Sequence, residues 1–219
     1  MNGSSKQLSM THVQYEGTPP GSIFGAGEKI THDFLQKQRP KGKWINLGAG
    51  DGRYSDKFLS TCEELVAFDR DPRALEKLER DLSPALKSRL KVSIGDLTEK
   101  LPFQNASFDG AFCSATIHIF AEETVRRLVS EMFRIVHPGG KIVTDFLYDI
   151  KRVLADGSLY LYPGEISYDS TEAEKVITNA FQGRTYQIER GEIVNDVEIN
   201  NGAARYFYRS KVFLVVGTA

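Results

Sequence analysis

Cysteine is scarce in this chain, with Cys62 and Cys113 the only two among 219 residues, and their separation fits no common metal-ligand spacing. A disulfide framework and a cysteine-based metal knuckle are thereby excluded, and the expectation is two reduced, partly buried thiols. No apolar run approaches the length of a membrane span. Met1 to Ser9 are polar and lack the apolar stretch of a secretory signal, so no signal peptide is expected. Neither sign of charge is in excess: 28 Lys and Arg stand against 29 Asp and Glu, a formal net charge of −1. The molecule as a whole therefore has no electrostatic bias toward nucleic acid or an anionic membrane. Internal repeats and low-complexity segments are also missing. These absences predict a soluble, cytoplasmic protein.

What remains is an ordinary globular composition, 41% hydrophobic and 26% charged, long enough for one α/β domain with a sizeable core. The most informative stretch is Trp44-Ile45-Asn46-Leu47-Gly48-Ala49-Gly50-Asp51-Gly52-Arg53-Tyr54. A short apolar run stops in three alternating glycines, and an amphipathic segment with Tyr54, Phe58 and Leu59 begins at once. This reads as strand, tight turn, helix. Glycines let such a turn bend sharply and let a ligand approach backbone N–H groups without meeting a Cβ. Glu64 to Asp69 is a second apolar strand ending in an acid, where ribose hydroxyls are held in nucleotide-binding α/β folds. Leu90 to Gly95 is a third strand, followed by Asp96.

The elements alternate along the chain. A helix with Ile30, Phe34 and Leu35 at helical spacing precedes the first strand and ends before Pro40. Asp71-Pro72 opens a helix with Leu75, Leu78 and Leu82 on one face. A fourth strand covers Ser107 to Ser114. Val125, Leu128, Val129, Met132, Phe133 and Val136 mark a strongly amphipathic helix. His137-Pro138-Gly139-Gly140 reads as a sharp stop, and Lys141 to Leu147 as a fifth strand. This alternation predicts a parallel sheet with helices on both faces. The region near 148–169 is tyrosine-rich and reads as an irregular insertion. A helix capped by Ser170 follows, then two strands, about Arg184–Val194 and Arg205–Gly217, which should pair antiparallel. Val212 to Val216 is apolar without alternation, as expected of a strand covered on both faces. Residues 1–22 are expected to form a loose leading segment and 23–219 a single domain. Tyr15 reads as an exposed loop tyrosine, with a fold over a ligand site as the alternative. Lys37, Arg39, Lys41 and Lys43 read as a solvated basic loop, with an RNA-contact patch as the alternative.

From about Phe24 to Gly217 the chain resembles the class I S-adenosylmethionine-dependent methyltransferases, particularly those acting on small molecules. The likeness is carried by Gly48-Ala49-Gly50-Asp51-Gly52, Asp69, Gly95-Asp96-Leu97, Leu101-Pro102-Phe103, Ser107-Phe108-Asp109 and Met132-Phe133-Arg134-Ile135-Val136-His137-Pro138-Gly139-Gly140. It implies a Rossmann-like, doubly wound sheet of seven strands, six parallel and the last antiparallel, with that last strand inserted between strands five and six. It implies S-adenosylmethionine as cofactor. Asn46, Gly48, Ala49 and Gly50 would meet its amino-acid end, Asp69 the ribose hydroxyls, Arg70, Asp96 and Leu97 the adenine, and Ser114 the region bordering the methyl group. Asn46 departs from the family, which usually carries an acid two residues before the first glycine. His118 is the one histidine near the methyl position; as a base it would matter only if the acceptor must lose a proton, and otherwise it shapes the pocket floor.

The acceptor implied is a small molecule, with nucleic acid and membrane partners unexpected. Ser114-Ala115-Thr116-Ile117 stands where amino-methylating DNA and RNA enzymes carry an Asn/Asp-Pro-Pro-aromatic signature. A nicotinamide dehydrogenase is disfavoured because Arg53 occupies the third glycine position of the dinucleotide fingerprint. A non-catalytic cofactor- or partner-binding protein of the same fold, and a tRNA or protein methyltransferase, are the alternatives.

Overall fold

A computed structural model describes residues 13–25, 27–161, 165–200 and 205–219, the side chains of 195–200 aside. The order is α1 (Lys29–Gln38), β1 (Lys43–Leu47), α2 (Ser55–Leu59), β2 (Glu64–Asp69), α3 (Pro72–Asp81), α4 (Pro84–Lys87), β3 (Leu90–Ile94) and β4 (Phe108–Cys113). A 3-10 turn at Ile117–Ile119 then leads to α5 (Glu122–Ile135), β5 (Val136–Val153), α6 (Ser170–Ala180), β6 (Thr185–Asn200) and β7 (Arg205–Thr218).

The strands form one mixed seven-stranded sheet in the order β3-β2-β1-β4-β5-β7-β6. Parallel ladders join β3, β2, β1, β4 and β5. β7 lies between β5 and β6 and runs antiparallel to both. β6 therefore runs in the same direction as β1 to β5 while pairing with β7, so six strands share one direction and β7 opposes them, as expected, although β6 makes no parallel ladder. Apolar side chains leave both faces of the sheet and are covered on each. On one face Ile45, Leu47 and Phe68 pack with Val125, Val129 and Met132 of α5 and Val176 and Ile177 of α6. On the other, Trp44, Leu65, Ala67 and Phe112 pack with Leu35 of α1, Phe58 of α2 and Leu75 and Leu78 of α3. Val212 to Val215 are at most 1% exposed, because β7 is an interior strand with both faces covered.

Several local expectations give way to tertiary context. The fifth strand does not stop at Leu147: β5 continues to Val153 through a register shift between Tyr148 and Lys151, with Asp149 at φ 51°. The region near 148–169 is thus an irregular insertion only in part, because its first residues pair with β7. The His137–Gly140 stop lies inside β5, whose register shifts against β4 between Phe108 and Gly110. The α6 cap is Asp169 rather than Ser170. Its carboxylate accepts from Thr171 and Glu172 N–H groups while Glu172 accepts from the Asp169 N–H, a reciprocal box that a neighbouring serine cannot complete. Tyr15 is 5% exposed, not on an exposed loop, so the expected loose segment packs on the domain from residue 13 onward. Residues 162–164 of the expected insertion and 201–204 between the last two strands lie outside the described residues.

The topology positions a site. From β1 the sheet grows one way through β2 and β3 and the other way through β4 and β5. The connections leaving the carboxyl ends of β1 and β4 consequently diverge to opposite faces and open a crevice between them, the customary ligand position in open α/β sheets.

Candidate functional site

The glycine turn after β1 is tied to the neighbouring strand by its own backbone. Gly48 and Ala49 N–H groups donate to the Phe68 carbonyl at 2.8 and 3.1 Å. Gly50 N–H donates to Asp69 Oδ2 at 2.8 Å, and Asp71 N–H to Asp69 Oδ1 at 2.9 Å. The carboxylate ending β2 therefore fixes both the turn and the entry to α3. Each of its oxygens accepts one hydrogen bond there and has a lone pair left for a ligand hydroxyl. Gly48 has φ 71°, and a Cβ on it would sit 2.7 Å from Thr116 Oγ1, so the glycine permits the loop after β4 to close onto the turn. Gly50 has φ 53° and a Cβ there would meet nothing within 4 Å. The turn presents bare backbone to open space.

The remaining expected residues gather at the same edge. Asn46 (3% exposed) sits in β1 between Ala67 and Phe112. Asp96, half-buried after β3, accepts from the Thr98 N–H at 2.7 Å, beside the buried Leu97. Arg70 is exposed, next to Asp69. Ser114 is buried where β4 ends.

Past β4 the environment is buried and polar. Asp145 of β5 is fully buried and accepts from the Ser114 hydroxyl and, at 2.5 Å, from the Ala115 N–H. Burial pushes its carboxyl up to about 6, against the lowering effect of those two donors. His118 lies in the 3-10 turn, 6% exposed, its ring edge-on to Phe146 at 6.5 Å, and its buried Nδ1 has no hydrogen-bond partner among the described residues. Burial, helped by the Arg152 charge, lowers its pKa to about 3, so the ring is neutral near pH 7 and a weak base. Arg152 makes two 2.7 Å hydrogen bonds to Glu165 and sits about 6 Å from the Tyr206 and Tyr208 ring centroids. Glu28, at the start of α1, reaches the same area: its N–H donates to Tyr54 Oη at 2.8 Å and its carboxylate lies 3.6 Å from Arg53.

Residues 45–144 match the family model described as a methyltransferase domain. Over that stretch, a little under half of the chain, the protein is similar to methyltransferase domains. It is similar to a probable tRNA methyltransferase 9B from Bos taurus, 28% identical over 149 residues that make up 65% of this chain and 30% of that protein. It is also similar to the demethylmenaquinone methyltransferase of Deinococcus radiodurans, 31% identical over 99 residues, 45% of this chain and 39% of that one. The chain thus spans well under half the length of these curated relatives. Among solved structures, an S-adenosylmethionine-dependent methyltransferase from Methanosarcina mazei aligns with a TM-score of 0.59 at 15% identity, covering 88% of this chain and 98% of that one. At that identity the likeness is one of fold.

The chemistry of the methyltransferase crevice suits that cofactor. A nucleoside needs a hydrogen-bond acceptor for its ribose and an apolar wall for its base, and Asp69, Asp96 and the buried Leu97 stand at adjoining strand ends. The open backbone at Gly50 leaves room for the amino-acid end. Sequence reasoning passed over Asp145, Glu28 and Arg152. For Asp145 the signal was available: a lone carboxylate inside the apolar run Ile142-Val143-Thr144-Asp145-Phe146-Leu147. Glu28 and Arg152 carry no such signal, since each is one charged residue in a polar stretch brought to the site by folding. No helix among the described residues is long and apolar enough to cross a membrane.

Proposed function

We propose that this chain methylates a small-molecule acceptor, using a single domain of about residues 23–219. Gly48, Ala49 and Gly50, with Asn46 beneath them, would hold the amino-acid end of S-adenosylmethionine. Asp69 would take the ribose hydroxyls, Arg70, Asp96 and Leu97 would frame the adenine, and Ser114 would border the methyl. When bound, the cofactor supplies a methyl group activated on a sulfonium. The chain's own residues then have two tasks, to align the acceptor in line with that methyl and to exclude water. The observation that carries this reading is the meeting of the bare turn with Asp69 at the β1–β4 switch, through the Gly50 to Asp69 hydrogen bond.

His118 forms a wall of the acceptor pocket in this reading. A buried neutral ring with a pKa of about 3 is a poor proton acceptor near pH 7. A small acceptor is favoured over RNA by the position of the basic residues. Lys37 is in the last turn of α1, Arg39 and Lys41 follow it, and Lys43 starts β1, paired with Glu64 at 3.0 Å. Three of them precede β1 and Lys43 is its first residue, whereas the crevice opens at its far end, roughly 16 Å away for a five-residue strand.

The test is a thermal-shift comparison of S-adenosylmethionine, its demethylated product and NAD. At about 100-fold excess over the dissociation constant the cofactor or product should add about 2.7 kcal/mol of stability. A shift with NAD alone refutes the reading. Methyl transfer is then sought across a small-metabolite panel and unmodified tRNA; transfer to tRNA only refutes the small-molecule acceptor.

A further inference from the structure

The segment ahead of α1 is fastened to the cofactor crevice by bonds that no expected site residue explains. Asp51, inside the glycine turn, is 5% exposed and is spent on this segment: Oδ1 accepts from Ser22 Oγ at 2.6 Å and Oδ2 from the Ile23 N–H at 2.7 Å. Arg53, two residues on, donates to the Phe24 carbonyl at 2.7 Å and lies over the Phe24 ring. Further along, the fully buried Lys77 of α3 donates to the Pro19 carbonyl at 3.0 Å while paired with Asp81. Thr18 Oγ1 donates to the Tyr15 carbonyl at 2.8 Å, folding the segment back on itself. Tyr15 itself is 5% exposed, and the negative charges of Asp71, Asp51 and Asp69 act on its phenol.

We propose that residues 13–24 are a strap closing over the cofactor crevice, with Tyr15 as a cofactor-binding residue at the ribose end and Asp51 as the latch. The proposal rests on the cofactor reading above. Its physical basis is a buried tyrosine in a segment that Asp51 ties to the glycine turn, next to the Gly50 N–H that meets Asp69. The ring supplies an apolar cover that keeps water from the Asp69 bonds, and the hydroxyl supplies a donor among acceptors. Burial and the surrounding negative charge hold that hydroxyl protonated, well above its ordinary pKa, so it serves as donor and not as base. Because the latch is part of the glycine turn, holding the cofactor and holding the strap draw on one piece of backbone. Any coupling between them is then reciprocal: what the cofactor adds to the strap's hold, the strap adds to the cofactor's.

The test uses the full chain and S-adenosylhomocysteine as probe, so that no acceptor is needed. Tyr15→Phe removes one neutral hydrogen bond and should weaken product binding about 3- to 10-fold, with the melting temperature of the free protein nearly unchanged. Asp51→Ala and the milder Ser22→Ala should weaken it too, although neither side chain is assigned to the cofactor. Glu16 is exposed and followed by Gly17, so glutamyl endopeptidase reports on the strap. Saturating product should slow cleavage after Glu16 in the parent protein and protect less in Asp51→Ala. The strap is overturned if the parent binds product while Tyr15→Phe and Ser22→Ala bind within twofold of it and cleavage after Glu16 ignores the product. If the parent binds no product, the cofactor reading itself falls, a result distinct from the first.

Discussion

Asp145→Asn isolates the energetic cost of a carboxylate buried beside the end of β4. In the folded protein that group is raised from 3.8 to about 6, with burial the main cause. An acid raised on folding binds its proton more tightly in the native state. Its stabilising contribution is therefore complete below about pH 4 and lost as pH rises through about 6. With 1.36 kcal/mol per pKa step, the full loss is about 3 kcal/mol, most of it between pH 4 and 7.5. Asparagine has nearly the same shape and no charge to bury. Its carbonyl oxygen can accept from the Ala115 N–H, and its amide can donate to Ser114 Oγ, whose hydroxyl rotates from donor to acceptor. Urea unfolding of parent and variant across pH 4 to 7.5 should give stability curves that diverge by about 3 kcal/mol. Asparagine gains relative to the parent as pH rises. Curves that stay parallel would refute the argument, because they would mean that the buried carboxylate carries no net penalty.

Three further outcomes follow from the site. Asp69→Ala should weaken product binding about tenfold or more and also lower stability by about 1–3 kcal/mol, since Gly50 and Asp71 N–H groups lose their acceptor; calorimetry and denaturation read the two effects separately. His118→Asn should cut the methyl-transfer rate by about tenfold or less and leave the pH–rate profile between 5 and 8 unchanged, because a group at about 3 does not titrate there. A loss beyond a hundredfold with a vanished acid limb would instead make His118 the base. Arg152→Met should destabilise by about 3–5 kcal/mol by stranding the Glu165 carboxylate, and the double variant Arg152→Met/Glu165→Leu should recover much of that in a double-mutant cycle.

What the sequence determined by itself is whatever rests on local chemistry. Alternating glycines after an apolar run dictate a turn with positive φ. The acid that closes the next apolar run, Asp69, stands at a strand end, because a strand buried on both faces tolerates charge only where it emerges. The continuous stripe on α5 and the unbroken apolar run of β7 announce their partners in the same way. Tertiary structure decided the rest. Nothing local says that β5 runs past Leu147, since its last residues are held by pairing with β7 and not by their own propensity. Nor does anything local separate Tyr15, buried and acted on by carboxylates some fifty residues away, from a tyrosine on a loop. The histidine legible as a candidate base is a buried, neutral ring for the same reason. A side chain's protonation depends on which charges and how little water surround it, and those neighbours arrive from elements far apart in the chain.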